Sequence, residues 1–195
     1  MTQIILASSS ETRKALLNRL HLDYLAISPE IDESAKPHES AEQLAQRLSF
    51  EKALKVANDY PDAIVIGSDQ VAYLAQSPQQ FIGKPYTEHD AIVQLQNQSG
   101  KILNFATGLS VQSINQQFEH TCVVPFQAKF RDLSNDEIQR YVSVDQPLYC
   151  AGSFKGESLG ISLFEWLKGD DYTALMGLPI IQLCAVLRQL GVRAP

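Results

Sequence analysis

The sequence predicts an α/β fold built around a mixed sheet. Short apolar runs that read as strands alternate with segments whose apolar residues recur at helical spacing. Two long apolar runs, 102–114 and 118–131, are joined by a polar turn near Asn115, which makes them neighbours in one sheet. With 195 residues, 45% of them hydrophobic, the chain is long enough to bury one ordinary core, and residues 1–195 read as a single domain.

The elements follow in order. QIILA (3–7) is a short buried strand. A helix comes next, with Ala15, Leu16, Leu17 and Leu20 on one side. Ser8 and Glu11 have capping-box spacing, and Ser10 is an alternative N-cap. Residues 23–28 read as a second strand. The stretch 29–40 is a polar loop punctuated by proline; it carries four acids, Glu30, Asp32, Glu33 and Glu39, and Ile31 as an apolar anchor. A helix over 40–60 carries Leu44, Leu48 and Val56, and residues 63–74 form a strand. Thr87 closes FIGKPYT (81–87) and caps a helix over 88–98, while Ser134 starts another over 133–142. A glycine-rich stretch at 150–160 precedes ISLFEWLKG. An apolar helix at 178–190 closes the chain, with Pro179 near its first turn.

Composition narrows the function. The formal net charge is -6, which argues against a general nucleic-acid binder and still allows a small anion in a local basic pocket. Mean hydropathy is -0.12, and no apolar run approaches the length that spans a bilayer. The N-terminal MTQIILASSSETRK lacks the basic n-region and long apolar run of a signal peptide, so a cytoplasmic location is expected. Cys122, Cys150 and Cys184 are far apart and odd in number, which suggests neither a disulfide framework nor a zinc site.

Five features bear on chemistry. LASSSETR (6–13) places serines and Arg13 where a strand turns into a helix, a setting that favours anions; taken alone, simple N-capping is the preferred reading, because serines are common at helix starts. Leu44, Leu48, Lys52 and Val56 are spaced by four, so Lys52 interrupts an apolar ridge. Its ammonium either snorkels to water or aims into a polar pocket beside the sheet. IVIGSDQVAYL (64–74) carries Asp69 inside an apolar strand, where a bare carboxylate is costly unless paired, protonated or holding a cation. A strand that ends at Gly67, leaving Asp69 in a turn, is the other reading. Gly83-Lys84-Pro85 is a surface turn or the seat of a third cation. Asp32 and Glu33 are solvated loop acids or hard oxygen ligands for a divalent cation. Together these residues form the set that phosphate chemistry with a divalent metal requires. No GxxxxGK[ST] or GxGxxG motif offers a different mechanism.

LASSSETR, EKA (51–53), IGSDQV (66–71), GKP (83–85), TGL (107–109), CAGSFKGE (150–157) and GLPI (177–180) resemble the Maf family of nucleotide pyrophosphatases nearly end to end. The resemblance implies hydrolysis between the α and β phosphates of a nucleoside triphosphate, giving the monophosphate and pyrophosphate. It implies a required divalent cation, Mg2+ or Mn2+. It also implies one α/β domain with an elongated mixed sheet flanked by helices and a central cleft. The family's catalytic acid falls on Asp69. Its phosphate-contacting positions fall on Ser8, Ser10, Arg13, Lys52 and Lys84, and its metal positions on Glu33 and Asp69. SDQ and AGSFKGE are similar to the 7-methyl-GTP branch, whose specificity positions map to Thr12, Gln70 and Glu157. Glu11 and Thr12 depart from the usual Pro and basic or aromatic residue, and Thr12 cannot stack on a base as the branch's frequent Trp would.

The expected partner is a small-molecule nucleotide, with no nucleic acid and no membrane; a homodimer is left open. Two rival functions stand beside this one. One is a nucleotide-sensing regulator of cell division in which hydrolysis is incidental. The other is a pyrophosphatase for a different canonical or modified nucleotide.

Overall fold

A computed structural model of the chain describes residues 2–193. Strand β1 (Ile4–Ala7) is buried along its whole length. Helix α1 (Glu11–Asn18) starts at Ser10, whose hydroxyl accepts the Arg13 N–H; of the two candidate serines, Ser10 is the cap. Only Leu25 and Ala26 of the segment 23–28 form a strand, β2, because only they find register with Ile5 and Leu6 at the sheet edge. Helix α2 (Ala41–Asp59) is opened by a capping box between Ser40 and Gln43. Strand β3 (Ile64–Leu74) runs unbroken through Gly67, so Asp69 is a strand residue.

Strand β4 (Phe81–Ile82) and helix α3 (Glu88–Gln98), capped by Thr87, follow. The long strands are β5 (Ile102–Ser113) and β6 (Phe118–Phe130). Helix α4 (Asn135–Asp145) has a complete capping box between Ser134 and Glu137. A single 3-10 turn (Leu159–Leu163) leads to β7 (Phe164–Lys168), then α5 (Tyr172–Leu175) and α6 (Ile180–Gln189). Elements β4, β7 and α5 are too short to show a period in the sequence; tertiary pairing makes them.

The strands form one mixed sheet in the order β2-β1-β3-β5-β6-β7, with β4 on the edge of β3. β2, β1 and β3 are parallel, and every pairing from β3 onward is antiparallel. One face of this sheet carries two apolar cores. Ile64, Ile66, Leu109 and Val111 pack with α1 and α6, while Ala72, Leu103 and Phe105 pack with α3 and α4. Between them on the same face lies a polar belt of Ser68, Gln70 and Thr107.

Helix α2 covers the opposite face and lies unusually close to it. A Cβ on Gly67 would stand 2.3 Å from the Ser49 carbonyl oxygen, and one on Gly108 would stand 2.1 Å from that of Ala45. Glycine at both positions is therefore what lets the helix backbone rest on the strands.

Candidate active site

The edge of β3 has a gap. β1 pairs with residues 64–67 and β4 with residues 72–73, so residues 68–71 have a strand neighbour only on the β5 side. The turn after β1 and the start of α1 lie at this gap. Strand alternation turns Asp69 toward α2 and its neighbours Ser68 and Gln70 toward the polar belt.

Lys52 meets Asp69 from α2. Its Nζ donates to Asp69 Oδ1 at 2.6 Å and pairs with Glu33 Oε1 at 2.8 Å. The Lys52 and Asp69 side chains are only 7% and 11% exposed, whereas Glu33 is 59% exposed. The ammonium is therefore buried and paired, and the carboxylate in the apolar strand is tolerated because that charge faces it. The ridge that Lys52 interrupts is confirmed by its neighbours: Leu44, Leu48 and Val56 are all buried.

Arg13 completes the cluster from α1. Its Nε donates to the Gly177 carbonyl at 2.7 Å, and its Nη1 lies 3.5 Å from Ser8 Oγ. Burial pushes the Arg13 guanidinium below its ordinary pKa, while the nearby Asp69 and Glu33 carboxylates pull it back up. Ser8 is buried, and its hydroxyl also accepts the Ser10 N–H at 3.1 Å. Ser8, Ser10 and Arg13 thus form one unit at a helix N-terminus, where backbone N–H groups and the dipole favour an anion.

Lys84 stands apart. It is exposed in the turn after β4 and makes no ion pair among the described residues. Its charge reaches the Cys150 thiol, as does that of Glu157, so the GKP turn and the glycine-rich segment lie close together. Thr12 Oγ1 donates to Glu157 Oε1 at 3.4 Å, which joins two of the three expected specificity positions. Gln70, the third, uses its amide on the Ala174 and Leu175 carbonyls at 2.7 and 3.1 Å, and on Thr107 Oγ1. Ser68 Oγ lies 2.7 Å from the Gly108 carbonyl and 2.8 Å from that of Gly177, with one proton to share. Belt residues thereby shape the 174–177 segment, and Gly177, at φ 91°, presents to Arg13 the carbonyl that aims its guanidinium.

Sequence reasoning missed Arg47. Its Nε and Nη2 grip Glu39 at 2.7 and 2.8 Å, its Nη2 also reaches the Ser34 carbonyl at 2.9 Å, and its Nη1 pairs with Glu51 at 3.1 Å. The i,i+4 spacing from Arg47 to Glu51 was visible; the return of the 29–40 loop onto α2 was not. Hydrogen bonds from Arg47 hold the Glu39 carboxyl at about 2, against an ordinary 4.5 and against the opposing effect of burial. A depressed carboxyl adds stability above its ordinary pKa and loses it as pH falls toward the folded value. Melting temperature is therefore expected to drop between pH 4.5 and about 2, and less steeply in Glu39→Gln. Thermal melts across that range check this.

A cavity of about 840 Å³ lies elsewhere, lined by His21, Tyr24, Leu25, Leu190 and Arg193 among others, and gathers none of these residues. No helix among the described residues is long and apolar enough to cross a membrane.

Fold and site define an α/β protein whose sheet edge gathers two cations, Lys52 and Arg13, and two carboxylates, Asp69 and Glu33, beside the N-terminus of a helix. The profile of the Maf-like proteins matches residues 3–190. This chain is 57% identical over 195 residues to a "Nucleoside triphosphate pyrophosphatase" of Acinetobacter baylyi, covering 100% of this chain and 98% of that one. It is 48% identical over 196 residues to a "7-methyl-GTP pyrophosphatase" of Pseudomonas aeruginosa, covering 100% of both. Two solved structures share the fold at low identity. They are a HAM1 protein from Coxiella burnetii (TM-score 0.53, 15% identity) and the Ham1 protein of Staphylococcus aureus (0.54, 16%); each match covers 97% of this chain and 100% of the other. The chain belongs to the Maf family.

Proposed function

We propose that the protein hydrolyses the α–β phosphate bond of a nucleoside triphosphate, most favourably 7-methyl-GTP, to the monophosphate and pyrophosphate. One observation carries this reading. Buried Lys52 bridges Asp69 and Glu33 in the gap of the β3 edge, beside Arg13 and the N-terminus of α1. Such a site offers fixed positive charge to a polyphosphate and a carboxylate to a water.

Each residue then has a task. Ser8, Ser10 and the first N–H groups of α1 hold phosphate oxygens, with Arg13 presenting its forked donors beside them. Lys52 and Lys84 neutralise charge on the triphosphate and on the leaving pyrophosphate. Asp69 accepts a proton from the water that attacks the α-phosphorus; the new P–O bond forms as the bond to the bridging oxygen breaks, and pyrophosphate departs with the electron pair.

A divalent cation, Mg2+ or Mn2+, fits this donor set. Asp69 and Glu33 already turn carboxylate oxygens toward one positive centre, the Lys52 ammonium. No group of three or more His, Cys, Asp and Glu gathers among the described residues, so phosphate oxygens and water would complete the shell, as is usual for Mg2+. Asp69 and Glu33 would hold the ion, and it would supply Lewis-acid neutralisation of the phosphates.

Base choice is assigned to Thr12 and Glu157, which touch, and to Gln70 through the segment it holds. The Glu157 carboxylate suits the N1–H and 2-amino donors of guanine and the positive charge of a methylated purine. Glu157→Gln is expected to reduce the preference for 7-methyl-GTP over UTP by roughly tenfold or more, the value of one charge-assisted bond. Competition assays check this. The function itself is tested by pyrophosphate release with Mg2+ or Mn2+ across 7-methyl-GTP, GTP, dTTP, UTP and CTP. Release from 7-methyl-GTP above the others is the expected result. Release from another nucleotide would keep the reaction and move the specificity. No release from any of them would favour a nucleotide-sensing role in cell division.

A further inference from the structure

The 29–40 loop presents Glu33 to Lys52, yet it contains no strand or helix of its own. Its apolar anchorage to the body is Ile31, which packs beside α2. Its internal hydrogen bonds are short-range: Ser34 to the Asp32 carboxylate and the Lys36 N–H to Glu39. Such a segment does not fix a carboxylate by itself. The Arg47 guanidinium supplies what is missing. It bonds Glu39 side-on near the end of the loop and the carbonyl of Ser34, next in chain to Glu33, at its middle. Glu51, one residue before Lys52, holds the guanidinium from the helix side.

We infer that Arg47 is a positioning residue for Glu33: it clamps the loop to the helix that carries Lys52, and so sets the second carboxylate of the site. The inference rests on the pyrophosphatase reading for its consequence and on geometry for its mechanism. A planar fork that spans three acceptors is not replaced by an ammonium, so Arg47→Lys fails almost as fully as Arg47→Met. The Lys52–Asp69 pair does not depend on the loop and stays formed.

The test is a double-mutant cycle on pyrophosphate release, with Arg47→Met, Glu33→Gln and the double variant, together with hydrogen exchange of the intact proteins. Arg47→Met is expected to lower kcat/KM by about 10- to 100-fold, the usual range for a residue that orients a ligating group. Added to Glu33→Gln, it is expected to cost little more, because its effect is already gone. Amides of 31–39 are expected to exchange about tenfold faster or more, with those of β3 unchanged. If Arg47→Met is insoluble, Glu39→Gln removes the loop-side partner alone and is expected to show the same coupling and exchange. Equal, multiplicative losses on wild type and on Glu33→Gln overturn the inference. Unchanged exchange at 31–39 overturns it as well. If the wild type releases no pyrophosphate, the pyrophosphatase reading fails, and the exchange measurement still decides whether the clamp exists.

Discussion

Asp69→Asn is expected to abolish pyrophosphate release, lowering kcat by about 10²- to 10⁴-fold, the range for removal of a general base. The amide keeps the shape of the carboxylate and can still accept from Lys52, but it cannot take a proton from water at neutral pH. Removing one partner of a buried ion pair usually costs about 3–5 kcal/mol, because the other charge is left alone. Here Lys52 keeps Glu33 at 2.8 Å, so the loss of stability is expected to be smaller than that. Turnover and a thermal melt on the same preparation separate the two effects. A folded variant that turns over at the wild-type rate would remove Asp69 from the mechanism. In cells, a division phenotype that persists in this variant would favour the regulator reading.

The second large effect comes from Gly108, the register partner of Asp69 on β5. Gly108→Ala would place a Cβ 2.1 Å from the Ala45 carbonyl oxygen and 2.7 Å from Ser49 Oγ. The carbonyl belongs to the α2 backbone and cannot rotate aside, so the helix must lift from the sheet. Overpacking of this kind costs about 1–3 kcal/mol and sometimes more, and each 1 kcal/mol lowers the melting temperature by roughly 2–4 °C in a domain of this size. The same displacement carries Lys52 away from Asp69, so activity is expected to fall along with stability. A variant that melts early yet hydrolyses normally would show that the pair does not depend on the seat of α2.

Part of this arrangement was legible in the sequence because local rules determine it. The apolar ridge of α2 puts Lys52 on the buried side, and the resumption of apolar residues at Val71 keeps Asp69 inside β3. The serine cap of α4 was readable because cap and partner lie three residues apart. One consequence of the strand period was available and went unread: Asp69 and Gln70 are adjacent in a strand, so they serve opposite faces. Other features depend on chain segments that meet only after folding. The Gly177 carbonyl that aims Arg13 is 164 residues away in sequence. The Glu39–Arg47–Ser34 clamp requires an irregular loop to fold back on a helix, and no periodicity announces that.

The central claim is that a water assisted by Asp69 attacks the α-phosphorus. Hydrolysis of 7-methyl-GTP in ¹⁸O-labelled water, followed by mass spectrometry of both products, tests it most directly. The account predicts the label in the nucleoside monophosphate and none in the pyrophosphate. Label in the pyrophosphate would mean attack at the β-phosphorus, and would contradict the placement of the nucleophile beside Asp69.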